Sequence, residues 1–104
     1  MDSIFIKIMG DSSSVRVIDY LLTERDLDFS ISDLSRNVNL GRTTIYKIWD
    51  SLLKSDIVVH TRIIGNSKLY KLNKDNFIVK KLIEIDDNLV KNELKEKIKL
   101  KRLV

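Results

Sequence analysis

The stretch ISDLSRNVNLGRTTIYKIWD, residues 31–50, decides how this chain reads. Its apolar skeleton is Leu34, Val38, Leu40, Ile45 and Ile48. Leu34 and Val38 stand four apart and share one helix face, and so do Ile45, Ile48, Trp49 and Leu52. Ser35 is small and lets a second helix approach the first. Asn39 falls where the chain must turn, and Asn is among the few residues that tolerate a left-handed backbone. Gly41 then precedes Arg42-Thr43-Thr44, which reads as a helix start. The pattern is two helices joined by a tight turn, a helix-turn-helix. Arg42, Thr43, Thr44, Tyr46, Lys47 and Lys54 are left on the outer face of the second helix. That polar, basic face on a short rod suits a DNA major groove. The plain alternative is a helical hairpin with a wet outer face.

Toward the N-terminus, Asp2 to Met9 carries two periods at once. Ile4, Ile6 and Ile8 alternate as in a strand, while Ile4/Ile8 and Phe5/Met9 pair at helical spacing. Gly10 follows, and Gly is favoured just past a helix end, so the reading leans to a short helix. Asp11-Ser12-Ser13-Ser14 offers several N-caps for the next helix. That helix has Val15, Ile18, Leu21 and Leu22 as its apolar stripe, with Arg16, Asp19 and Glu24 outside. Arg25 to Phe29 reads as a loop whose Leu27 and Phe29 fold back into the core. Ser30 is a good N-cap, and Asp33 three residues on completes a capping box with the shorter acid.

Toward the C-terminus, residues 57–64 are rich in β-branched side chains and read as a strand. Gly65-Asn66-Ser67 is a turn signal, and residues 68–72 form a second strand. The hairpin carries Arg62, Lys68 and Lys71. Three helices followed by such a hairpin make a winged helix. From about Asn73 the period turns helical again, with Asn73 or Asp75 as cap. Ile78, Leu82, Ile85 and Leu89 step by four, three and four, a heptad-like stripe. Past Leu89, Asn92, Glu93 and Glu96 interrupt it, and Val90, Leu94 and Ile98 continue a different face. Residues 91–102 are mostly charged and read as a solvated, fraying helix end. The expected fold is therefore mainly α with a small β-hairpin (α+β), a winged helix-turn-helix with a long C-terminal helix. Residues 1–73 form the expected DNA-binding unit, and residues 74–104 a dimerisation helix with a lysine-rich end.

The composition narrows the function. The chain has 104 residues, 43% hydrophobic and 33% charged, enough for one modest core. Its net charge of +4 suits a polyanion partner without requiring one. There is no cysteine and a single histidine, His60, so disulfides and the usual His/Cys zinc sites are excluded. No apolar run approaches the ~18 residues needed to span a bilayer. The N-terminus lacks a signal peptide's pattern, so a cytoplasmic location is expected, with no membrane partner. No nucleophile-base set, glycine-rich phosphate loop or metal cluster stands out, and Asp50 has no catalytic companion. The expectation is a protein that is not an enzyme and uses neither cofactor nor metal.

Three stretches give the chain a family likeness. Residues 7–18, KIMGDSSSVRVI, look like a helix end, a glycine, a polar cap and an Arg-bearing helix. Residues 39–46, NLGRTTIY, resemble the start of a recognition helix. Residues 57–72 followed by Asn73 and Ile78-Val79-Lys80-Lys81-Leu82 look like a wing and its C-terminal helix. In this order they resemble the small winged-helix transcriptional regulators, ArsR-like in broad terms, common in archaea. The likeness covers nearly all of the chain except its lysine-rich end. It implies transcription regulation through double-stranded DNA. The cysteine pairs of the metal-sensing members are missing, so metal-controlled release is not implied. Phe77 stands where many relatives carry a proline near the start of the last helix.

The residues expected at DNA are Arg42, Thr43, Thr44, Tyr46 and Lys47 on the second helix, with Arg62, Asn66 and Lys68 on the wing. Arg42 and Lys47 suit phosphates or guanine edges. Thr43 and Thr44 suit phosphate beside free backbone N–H groups, although Thr44 could equally cap its own helix. Tyr46 suits either a sugar or the edge of the core. Ile78, Leu82, Ile85 and Leu89 are the expected homodimer interface. The rival class is a winged helix used as a protein-interaction module in a transcription or replication assembly.

Overall fold

The computed structural model describes residues 3–103. Asp2, the expected first residue of the opening helix, lies outside them. The order is α1 (Ile4–Met9), α2 (Ser13–Thr23), α3 (Ile31–Val38), α4 (Arg42–Lys54), β1 (Val58–Ile64), β2 (Ser67–Leu72) and α5 (Phe77–Leu103). This is the winged helix expected from the sequence, with two strands and a long last helix.

Local capping explains most helix boundaries. At α1 the Ser3 hydroxyl accepts from the Ile6 N–H at 3.1 Å and donates to Asp19 of α2 at 2.7 Å. Gly10 ends α1 with φ 95°, a backbone conformation that L side chains rarely adopt. The helical period therefore prevails over the strand-like alternation. Ser12 caps α2 by accepting from the Val15 N–H at 3.1 Å. Ser30 and Asp33 form the expected capping box of α3. Asn39 sits at φ 55° and ψ 48°, the left-handed conformation expected of the turn. Ser35 also fastens the turn, its hydroxyl donating to the Leu40 carbonyl at 2.5 Å.

One core joins the helices to the hairpin. Val17, Leu21 and Leu22 of α2, Leu34 of α3 and Ile45 and Trp49 of α4 are buried together with Val58, Leu72 and Val79. Val17, absent from the stripe expected of α2, is among the most deeply buried. Phe29 enters the core as expected and pairs with Tyr70, each N–H donating to the other's carbonyl at 2.9 and 2.8 Å. Leu27 does not enter the core; it is 58% exposed. The Leu27 N–H closes a turn on the Glu24 carbonyl at 3.1 Å, which carries its side chain outward before Phe29 turns in.

The strands pair antiparallel with Val58 opposite Leu72 and His60 opposite Tyr70, after which Arg62 faces Leu69. Thr61 is thus an extra residue, a β-bulge. Gly65, at φ 59°, begins the hairpin turn, and Ser67, expected in the turn, belongs to β2.

The last helix departs most from expectation. It begins at Phe77, and its cap is Asn76, not Asn73 or Asp75. The Asn76 Oδ1 accepts from the Ile78 and Val79 N–H groups at 2.8 and 3.2 Å. Asn73 is occupied elsewhere, its Oδ1 accepting from the Asp75 N–H at 3.2 Å and its Nδ2 donating to the Asp56 carbonyl at 2.9 Å. The core-facing residue is Val79, fully buried, while Ile78 is 52% and Ile85 40% exposed. Leu82 and Leu89 flank the core of their own domain together with Ile83. The expected stripe is therefore split, half of it leaning on the domain. The lysine-rich end is not frayed; α5 runs unbroken through Leu103. Arg25 fixes its docking, with Nη2 3.2 Å from both Asp86 and Asp87 and Nε donating to the Leu22 carbonyl at 2.8 Å. Burial raises the Asp86 carboxyl pKa above its ordinary value, Arg25 opposes this, and Asp19 and Asp87 add to it. Among the described residues no helix is long and apolar enough to cross a membrane.

Candidate nucleic-acid interface

Helix α4 turns Ile45, Trp49 and Leu52 inward. An α-helix that buries one stripe leaves the opposite face to solvent. Arg42, Thr43, Tyr46 and Lys47 are exposed on the first two turns, and Thr44 is half-buried. Gly41 is the N-cap, and among the described residues no side-chain hydrogen bond caps the helix. The first N–H groups of α4 remain without a capping side chain, which is where an anion binds a helix. Arg42 is not loose: its Nη2 donates to the Ser32 hydroxyl of α3 at 2.7 Å. Further along, Asp50 pairs with Lys54 at 2.8 Å and cancels its charge. The unneutralised basic surface of α4 is thereby confined to its N-terminal half.

The wing stands beside that half. Ser30, the cap of α3, with Ile31 and Ser32 of α3, Tyr46 of α4, and Asn66, Ser67, Lys68 and Tyr70 of the hairpin line an open cleft of about 280 Å³. Tyr46, Asn66 and Lys68, expected at DNA from separate parts of the sequence, therefore share one surface. Tyr70 holds the wing to α4 by meeting Trp49 edge-on at 5.4 Å between ring centroids. Among the described residues the buried Trp49 Nε1 has no hydrogen-bond partner.

Arg62 is placed differently from the other wing residues. Its Nε and Nη2 donate to the two oxygens of Asp28 at 2.8 and 3.2 Å. The Thr61 hydroxyl donates to the same carboxylate at 3.0 Å. In a regular strand, successive side chains point to opposite faces. The bulge at Thr61 lets two consecutive residues reach one acid. The Arg62 hydrogen bond and charge hold the Asp28 carboxyl below the usual range, and Asp28 raises the Arg62 pKa in return. Asp28 was not singled out from the sequence; nothing local marks it, since its partner lies 34 residues away.

Among the described residues, no group of three or more His, Cys, Asp or Glu side chains could hold a metal ion.

No family model matches the chain, and no curated protein matches it in sequence. Solved structures do match its fold. A possible transcriptional regulator from Methanosarcina mazei superposes with a TM-score of 0.58 at 17% identity, over 92% of this chain and 83% of that one. Sso10a-2, a DNA-binding protein from Sulfolobus solfataricus, gives 0.56 at 15% identity, over 90% and 97%. MepR, a transcription regulator of a Staphylococcus aureus multidrug efflux pump, gives 0.62 at 12% identity, over 93% and 77%. At these identities the likeness is one of architecture, and it is the winged helix-turn-helix fold that this chain shares with them.

Proposed function

We propose that the protein is a cytoplasmic, sequence-specific regulator of transcription that binds double-stranded DNA as a homodimer. Helix α4 lies in the major groove, and the wing rests on the backbone or in the minor groove. The observation that carries this reading is that Tyr46, flanked on α4 by the exposed Arg42, Thr43 and Lys47, lines one cleft with Asn66 and Lys68 of the wing. A recognition helix points its N-terminal residues at base edges, and that half of α4 holds its unneutralised cations. The neighbours described as transcription regulators and as a DNA-binding protein support the same reading.

The homodimer rests on α1 and α5. These helices pack together and leave Ile8, Met9, Ile78 and Ile85 exposed, a surface suited to a second copy. Leu82 and Leu89 supply its inner margin. No enzymatic step, cofactor or metal belongs to this reading. An ArsR-like ancestry fits the order of elements, while the missing cysteine pairs depart from its metal-sensing members.

Selection of binding sites from random duplexes tests the proposal, with an enriched motif as the expected result. A second reading competes because Ile63 and Ile64 are exposed on the wing, an apolar tip that suits a protein partner. If no motif is enriched, the winged-helix interaction module replaces the regulator.

A further inference from the structure

The distal half of α5 is a second basic surface, remote in kind from the cleft beside α4. Residues 91–102 hold six of the chain's 19 cationic side chains and two of its 15 acids. The other 13 cations and 13 acids balance, so the entire net charge of +4 resides in this segment. The winged-helix body by itself is neutral overall.

The charges are ordered as well as numerous. Lys91, Lys95, Lys99 and Arg102 step by four, four and three along a continuous helix, which places them in one row. All four are exposed, and none forms an ion pair among the described residues. Lys97, off the row, is the paired one, 3.4 Å from Glu93. The row lies on the side of α5 opposite Val79 and Asp86, which face the domain. It spans roughly 16 Å at 1.5 Å per residue, alongside ~5 phosphates per strand of B-form duplex.

Two plainer accounts fall short. Cations in a last turn offset the helix dipole, but that effect fades within a turn and does not reach Lys91 or Lys95. Like charges four apart destabilise a helix in isolation, so the row carries a cost that an anionic partner removes. A membrane surface fits less well than a polyanion. Val90, Leu94 and Ile98 would be the immersed side, yet by helical position Lys101 falls within that row. The apolar row also lies about 100° round the helix from the basic one, so covering it would leave the cations free.

We infer that Lys91, Lys95, Lys99 and Arg102 bind the phosphate backbone of duplex DNA without reading sequence, outside the stretch contacted by α4. This surface supplies much of the salt-dependent affinity, while α4 supplies preference. The inference shares its ligand with the proposed function but not its residues.

The test uses the whole chain and a random-sequence duplex, with binding measured across salt concentrations. Each phosphate contact contributes about 0.9 to the slope of log K against log salt. The pair Lys95→Gln with Lys99→Gln should flatten the slope by about two units. The pair Lys97→Gln with Lys101→Gln removes equal charge off the row and should flatten it by less than about one unit. Changing all four row residues to Gln should flatten it by about three to four units. Gln is a comparable helix former, so the helical circular-dichroism signal should persist; if the fourfold variant unfolds, the two pairs decide. Equal effects of the two pairs would reduce the row to bulk charge and overturn the inference, as would unchanged slopes. Row-dependent binding to phosphatidylserine vesicles with an unchanged DNA slope would also overturn it, in favour of a membrane. Failure of motif selection would sink the regulator reading without altering these slopes.

Discussion

Arg62 grips Asp28 with both Nε and Nη2, at 2.8 and 3.2 Å, and so straps the wing to the segment that leads into α3. The two wing cations expected at DNA are therefore unequal: Lys68 lines the open cleft, while Arg62 is already occupied.

Lys68→Ala should weaken binding to all duplexes alike and flatten the salt slope by about one unit, with an unchanged melting temperature. Arg62→Ala should lower affinity and also loosen the wing, visible as faster hydrogen exchange in residues 58–72. Asp28 has a depressed pKa, so its contribution is present above the ordinary carboxylate pKa and is lost as pH falls through the folded value. Asp28→Asn should abolish that acid dependence. If exchange in the wing is the same in wild type, Arg62→Ala and Asp28→Asn, the strap has no mechanical role.

Arg42→Ala and Lys47→Ala should behave differently from the wing variants. Both residues are exposed on the first two turns of α4, away from its buried stripe. A bidentate base contact is worth about 1–3 kcal/mol of discrimination, while a phosphate contact carries no sequence information. At least one variant should relax preference at a defined base pair in site selection, with thermal melts unchanged. A motif kept intact by both would move the reading face elsewhere.

The proposed dimer is best probed at Ile78 and Ile85, because Leu82 and Leu89 also serve their own core. Ile78→Glu with Ile85→Glu should yield a monomer in sedimentation and leave the fold intact. Charges at Leu82 and Leu89 should instead destabilise the fold as well as the dimer. A wild type that is monomeric at high micromolar concentration would remove the dimer, and the exposed stripe would need another partner.

Asp86 gives a pH prediction of opposite sign to Asp28. Burial raises its folded pKa, so the folded state holds its proton longer than the unfolded chain does. Stability then declines as pH rises from the unfolded pKa through the folded one. Asp86→Asn should raise the melting temperature at pH 7, and the gain should shrink as the pH approaches 4. Arg25 keeps Asp87 as a partner in that variant. A lower melting temperature at pH 7 would mean that the Arg25 pair outweighs the burial.

The sequence by itself determined the order of elements and the devices that start and stop them. The Ser30 and Asp33 capping box, the left-handed Asn39 and the Gly65 turn act over a few residues, so their signals are legible locally. The polar face of α4 was legible for the same reason: the helical period fixes which residues oppose Ile45 and Trp49. The tertiary structure alone decided what depended on distant partners. Ile78 and Val79 are consecutive and point about 100° apart, so both cannot face the core. The sequence offers an Ile78-Leu82-Ile85-Leu89 row and a Val79-Ile83 row as candidates for that face. Docking of α5 on α1 and α2, with Arg25 holding Asp86, selects Val79 and leaves Ile78 outside. In the same way Arg62 is claimed by an acid 34 residues away.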